Sequence, residues 1–382
     1  MCVRTHSLSF LNFYTTLAPA NVMKNGDQVR IKDIAAKAGC SIGTVDRVIH
    51  NRGKVAEPVR KRILEIIKEL NYKPNVNARV LASKHPLNLG ILLPSFKKGE
   101  YWELPNLGIV EAIDRYTEQG YHINPLIYSH TNPEDFYTAG MKLLSEEIDG
   151  IIMSPATYKE TVRLVRSYFQ KKIPFILIDS DIQGLPSLSF IGKDSIQSGS
   201  TVANLTHQIT RHIQGQKNIW IINISKNLGQ IYSLLARESG FMNYFFDKNL
   251  QDTYTFNTHE FEDHESQEAI DQQVEKLLKE GVPHAIYVTG SRVYKIAASL
   301  KRLKPDQKPL LIGHDLIAQN IARVRDESID FLIEEEARRQ GYLAVESMIR
   351  SVIYKEKLEK KILMNLLIYT RENLPSDPSE QR

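Results

Sequence analysis

Cysteine is almost missing from this sequence. The two present, Cys2 and Cys40, cannot build a disulfide framework or a zinc site, and point to a reducing compartment. No apolar run approaches the roughly 20 residues that span a bilayer, which excludes a sensor with an extracellular domain. No repeat of solenoid period and no low-complexity tract occurs. Catalytic signatures are absent too: there is no P-loop, GxSxG elbow or HExxH helix. The histidines of "HNRG" and "IGHD" lack ligand spacing. An enzyme, a metal site and a cofactor are therefore not expected.

What is present suits two or three soluble domains in 382 residues, with 42% hydrophobic and 25% charged side chains. The charge is unevenly spread. Residues 29–84 hold thirteen Lys and Arg against five Asp and Glu, a surplus of eight, while the whole chain is +4. The remainder therefore carries −4. A small basic module joined to a mildly acidic body points to a polyanionic partner at one end. The first twenty residues, "MCVRTHSLSFLNFYTTLAPA", loosely resemble a signal peptide, but Asn12, Thr15 and Thr16 break the apolar stretch. Residues 1–28 read better as a disordered extension, or as an over-long start preceding Met23.

From residue 31 the spacing predicts three helices. Ile31, Ile34, Ala35 and Ala38 share a face that stops at Gly39; Ser41 can cap a second helix with Val45, Val48 and Ile49 as its stripe. "EPVRKRILEIIKELNY" predicts a third, with Pro58 in its first turn and Val59, Ile63, Ile66, Ile67 and Leu70 facing inward. Two helices joined by a short glycine-containing turn, then a third, form an all-α helix-turn-helix headpiece over 29–73. Residues 74–86 form a linker.

After Pro86, short apolar runs alternate with 14 to 30 residues of helical periodicity. The candidate strands are 87–94, 122–129, 149–155, 173–179, 218–224, 284–290 and 309–315. Such alternation predicts parallel sheets with helices on both faces. The series is too long for one sheet, so 87–370 is expected to form a two-lobed α/β body, with crossings near 180–195 and 315–335. Residues 371–382 read as a polar tail.

Residues 29–82 resemble the headpiece of the lac repressor family: "DIA", "AGCS", "TVDRV", a capped third helix, "LNYKPN" and "LA" occur in order. "RESGF" (237–241), "IGHD" (312–315) and "QGYLA" (340–344) resemble motifs of that family's periplasmic-binding-protein-like effector domain, so the resemblance spans about 29–370. It implies a homodimeric regulator of transcription, without a membrane role, binding a palindromic operator in double-stranded DNA under allosteric control by a small ligand, a sugar or sugar derivative. It implies a cytoplasmic location. It also implies a hinge helix near 75–83 that wedges Leu81 into a minor-groove step. Leu81 could instead belong to the core of the following domain, and Asn75 suits a cap of the hinge segment, which also carries Ala78. The rival reading is an exported sugar-binding protein without a DNA role; a basic headpiece would be useless to it.

In the second helix, Ile42, Gly43, Asp46, Arg47 and His50 share the outward face. Arg47 suits bidentate contact with guanine O6 and N7, or plain solvation. Asp46, where the family usually has Ser, could accept from a cytosine N4 amino group, or could pair with His50 or orient Arg47. Thr44 suits a phosphate contact or capping. Gly43 lacks a side chain where the family reads a base.

In the body, ligands bind between lobes at the carboxyl ends of strands. Tyr101 and Trp102 follow the first strand and suit stacking on a sugar, or lobe packing. Asp179 and Asp194 suit sugar hydroxyls, with helix capping the other reading for Asp194. Arg237 and Asp315 match family ligand positions. Ser291 and Arg292 of "VTGSR" replace a usual Asn-Asp pair, and Glu335 stands where many relatives carry Gln. Arg237 with Arg292 would suit an anionic sugar; Glu335 counts against it, and a neutral sugar is the preferred expectation.

Overall fold

The computed structural model describes residues 29–49, 55–70, 87–121, 123–130, 132–225, 232–262 and 266–375. His50, Asn75, Ala78 and Leu81 lie outside the described residues. The chain separates into two units, Met1–Asn75 and Val76–Arg382.

The first unit holds α1 (Ile31–Ala38), α2 (Ile42–Ile49) and α3 (Glu57–Glu69). The Arg30 N–H donates to Asp33 Oδ2 at 2.8 Å, closing the start of α1. Gly39 ends it at φ 66°, a left-handed conformation without steric cost for glycine. The Thr44 N–H donates to Ser41 Oγ at 3.2 Å, so Ser41 caps α2 as expected. Ile34, Val45 and Ile63 are fully buried, with Ala35, Ala38, Val48 and Ile66 around them. Burying each larger aliphatic side chain contributes about 1.5–3 kcal/mol. Val59 departs from the expected stripe: it is 36% exposed, because the first turn of α3 gets little cover.

The second unit contains two six-stranded sheets. The first lobe is built from β1 (Leu87–Pro94), α4 (Glu103–Glu118), β2 (Ile123–His130), α5 (Pro133–Ser145), β3 (Gly150–Met153), α6 (Tyr158–Gln170), β4 (Phe175–Asp179) and β5 (Ser189–Gly192). The chain then crosses at Lys193–Asp194 into α7 (Ser195–Thr210). The second lobe follows with β6 (Lys217–Ile224), α8 (Tyr232–Asp247), β7 (Tyr254–Phe261), α9 (Gln267–Glu280), β8 (Ala285–Val288), α10 (Val293–Leu303), β9 (Leu310–His314), α11 (Ala318–Arg325) and β10 (Phe331–Glu334). A second crossing at Glu335–Glu336 leads to α12 (Ala337–Val352), which packs on α4 in the first lobe, and to β11 (Lys361–Leu363). A third, not expected from the sequence, spans residues 364–366 and delivers β12 (Leu367–Tyr369) to the second sheet.

The strand orders are β11-β5-β4-β3-β1-β2 and β12-β10-β9-β8-β6-β7. All pairings are parallel except β10 with β12. Five strands, β5, β7, β10, β11 and β12, were not among the seven expected. Alternate side chains of β1 serve opposite faces: Leu89, Ile91 and Leu93 pack toward α4 and α12, and Leu92 toward α5 and α6. Residues 371–375, assigned above to the tail, include a 3-10 turn at Arg371–Asn373, and Arg325 Nη2 donates to Pro375 O. The tail is thus anchored further along than its polar composition suggested.

Both lobes use glycine at the crossing helices. A Cβ on Gly341 of α12 would lie 1.9 Å from Pro105 O, and one on Gly199 of α7 would lie 1.8 Å from Arg237 O. Backbone rests on backbone at both places.

Candidate functional site

In the headpiece, burial separates α2 into two faces. Val45 and Val48 are buried, whereas Gly43 and Arg47 are exposed and Ile42 is 55% exposed. Asp46 and Thr44 are half-buried, and Thr44 Oγ1 lies 2.9 Å from Ser41 Oγ, tying it to the cap. Among the described residues, a Cβ on Gly43 would meet nothing nearer than Ser41 Oγ at 3.8 Å. Packing therefore does not demand glycine there, and its effect is to leave the outer face bare. An exposed helix with an arginine, an aliphatic tip and a bare position fits the width of a major groove.

In the body, strand ends converge. Asp179 ends β4 and Lys193 follows β5; His314 and Asp315 close β9, and Glu334 and Glu335 close β10. Asp179 and Asp315 hold equivalent places, each at the end of its lobe's fourth strand, with φ of 65° and 71°. Non-glycine residues held there store about 1–3 kcal/mol of strain each. Lys193 Nζ lies 3.0 Å from Asp179 Oδ1 and 3.3 Å from Glu335 Oε2; Arg237 Nη2, from α8, lies 2.5 Å from Glu335 Oε2. Arg237 Nη1 also donates to Thr289 O at 2.7 Å. Tyr101 OH donates to Asp179 Oδ1 at 2.8 Å, and Tyr287 OH lies 2.9 Å from His314 Nε2. No charged side chain of this cluster is more than 9% exposed.

Burial opposes charge on Asp179, but Lys193 and Tyr101 outweigh it and hold the carboxyl below its usual value. Glu335 is likewise held well down, by Arg237 and then Lys193. Asp315 goes the other way: burial pushes it up to about 6, only partly offset by Arg237 and Lys193. Burial, then Asp315, pushes Glu334 up to about 7, although Leu316 N–H and Ala337 N–H both donate to it. Burial, then Arg237, keeps His314 neutral. At neutral pH two cations thus face two firm anions, and two further carboxyls titrate nearby. Arg237 Nε, His314 Nδ1, Asp315 Oδ1 and Gln340 Nε2 are buried without a hydrogen-bond partner among the described residues. Native proteins leave few such atoms, and each costs about 1–3 kcal/mol.

A family model described as "Bacterial regulatory proteins, lacI family" matches residues 30–75, and one described as "Periplasmic binding protein domain" matches 89–356. The second match covers more than half of the chain, which therefore carries a periplasmic binding protein domain behind a segment that matches the lacI family's regulatory proteins. Among curated relatives, the HTH-type transcriptional regulator MalR of Streptococcus pneumoniae serotype 4 is 28% identical over 171 residues, 45% of this chain and 51% of that protein. Catabolite control protein A of Staphylococcus epidermidis is 32% identical over 153 residues, 40% of this chain and 44% of that protein. The chain spans about half the length of the curated relatives it matches. Among solved structures, a protein of Bacteroides fragilis described as a LacI transcriptional regulator aligns with a TM-score of 0.67 at 23% identity, over 76% of this chain and 98% of that one. A solute binding protein of Agrobacterium radiobacter in complex with D-arabinose aligns with a TM-score of 0.64 at 18% identity, over 78% and 98%. At these identities the likeness shows the fold.

The body brings together five of the expected ligand residues: Tyr101, Asp179, Arg237, Asp315 and Glu335. The other four have different partners, although Ser291 borders the cluster through Asn320, whose Nδ2 also donates to His314 O and Asp315 O. Asp194 accepts from Gln197 N–H and caps α7. Trp102 packs on the first lobe's core, edge-on to Tyr101 at 5.1 Å. Ser291 and Arg292 are half-buried at the start of α10, where Ser291 O accepts from Asn320 Nδ2. Sequence reasoning missed Lys193 and His314. "FIGK" gives no sign that its lysine is 3% exposed, and the histidine of "IGHD" has no ligand spacing to mark it.

Asp315 yields a pH prediction. A carboxyl raised by folding contributes stability that is complete below its unfolded value, near 4, and is lost as pH rises through about 6. Asp179 and Glu335 have the opposite sign and matter only as pH falls below about 4. His314, lowered by burial, gains with rising pH near 6.5 and would mask the effect in wild type alone. Urea unfolding of Asp315→Asn against wild type reads this together with the part of the Glu334 shift that Asp315 causes: the variant should gain relative to wild type as pH rises from about 4 to about 7. Parallel curves would show that Asp315 keeps its ordinary value.

Proposed function

We propose that this chain is a cytoplasmic, homodimeric transcription regulator that binds a palindromic operator and is controlled by an uncharged sugar held between the lobes. The observation that carries the reading is one chain joining an exposed α2 face to a buried cleft of unpartnered polar atoms. Those atoms include donors and acceptors, as a ring of hydroxyls requires. Because Lys193 and Arg237 are matched by Asp179 and Glu335, an added anion at those cations would meet the charge of Asp315. That favours a neutral ligand over a uronate or sugar phosphate. Relatives named as regulators, and a fold neighbour holding D-arabinose, support the reading, and the lacI-family match counts against export. Ligand control requires different affinities for two states of the body.

The test is in vitro selection of DNA sites by the purified chain, with and without pooled neutral sugars. An enriched palindrome whose recovery changes with sugar is expected; no enrichment in either condition would sink the regulator reading. Arg47→Ala should flatten site preference while leaving salt-sensitive nonspecific binding, since phosphate contacts carry no sequence information. An unchanged preference would remove Arg47 from the reading set.

A further inference from the structure

The buried ion pairs differ in what they join. Lys193–Asp179 lies within the first lobe and Arg237–Glu335 within the second, but Lys193–Glu335, at 3.3 Å, runs between them. Its two members hold matching places, each the first residue after its lobe's fifth strand and at the root of a crossing segment. The lips of the lobes also meet: a Cβ on Gly99, after β1, would lie 2.5 Å from Gln319 Nε2 on α11.

We propose that Lys193 and Glu335 form a built-in clasp that holds the lobes together through bonds of the chain's own. Lys193 is the shared centre, touching Asp179, Glu335 and, at 3.3 Å, Tyr101 OH. The ion-pair partners of Lys193 and Arg237 are protein carboxylates, so a ligand reaching either cation must displace Asp179 or Glu335. The clasp sets the population of the closed body, and any ligand acts against that setting. This last consequence rests on the cleft being the ligand site, but closure is measurable without ligand or DNA.

The experiment uses the full chain with Cys2→Ser and Cys40→Ser, diluted with unlabelled chain. Spin labels go at Lys98→Cys and Ala322→Cys, exposed positions beside the lip contact. Double electron–electron resonance on this background should give one narrow, short distance. Lys193→Met should add a longer, broader population, and so should Glu335→Gln, whose shape is nearly unchanged. If either variant fails to melt cooperatively, the other decides. Wild-type distance distributions in the folded variants would overturn the clasp, whatever the outcome of DNA selection.

Discussion

Gly341→Ala should cost the body about 3 kcal/mol or more, at the upper end of what overpacking does, and Gly199→Ala should cost a similar amount. The cause is contact between backbones. The new methyl carbon would lie 1.9 Å from Pro105 O in one case and 1.8 Å from Arg237 O in the other, and a carbonyl cannot rotate away as a side chain can. The partners are glycines too: Gly108 faces Arg338 O at 1.8 Å, and Gly240 faces Ile196 O at 2.0 Å. Each helix pair must therefore part by more than an ångström, opening voids in cores that tolerate few. In a body of this size the loss should lower the melting temperature by about 5 °C or more. Gly199→Ala has a second effect, because the carbonyl it strikes belongs to Arg237, and moving that backbone moves the guanidinium off Glu335. Melting temperatures within about 2 °C of wild type would mean that the helices sit further apart than described.

Arg237→Met should be the other severe change, at about 3–5 kcal/mol, because it strips the closest partner from a buried carboxylate. Of its ion pairs among the described residues, Glu335 would keep the one to Lys193, which Asp179 also draws upon. Arg237 and Glu335 are each 2% exposed, so solvent does not screen the loss. Adding Glu335→Met should recover a large part of the stability, since no lone charge then remains inside and apolar replacements of buried pairs are often tolerated. Urea unfolding at pH 7 of the two single variants and the double variant reads this directly. A single-variant cost below about 1 kcal/mol is the value expected of an exposed pair, and would show the cleft to be open to water.

The central strands were legible because a strand buried on both faces must be a nearly continuous apolar run, as in "LNLGILLP" and "IPFILID". β7 was not, because as the edge strand of its sheet it carries Thr255, Asn257 and His259 among its apolar residues. β10 has only three apolar residues before the glutamates, and β11 and β12 are three-residue edge strands. In the headpiece the apolar spacing alone separated the buried face of α2 from the exposed one. In the cleft the sequence pointed to Asp179, Arg237, Asp315 and Glu335 but not to how they meet. Lys193 is drawn into that company by the first crossing, and no local pattern announces a contact between residues 142 positions apart.

The crossing helices also fix an order of events as the chain is made. The first lobe begins at Leu87, yet its sheet lacks an edge strand until Lys361–Leu363 exists, and α4 lacks its cover until α12 does. The second lobe, started more than a hundred residues later, has its first helix pair, α7 and α8, in hand by residue 247. On an elongating ribosome, the half of the body synthesised first is therefore among the last to be finished. For most of its synthesis it presents the apolar face of α4, and the Gly108 seat reserved for α12, to whatever else is in solution.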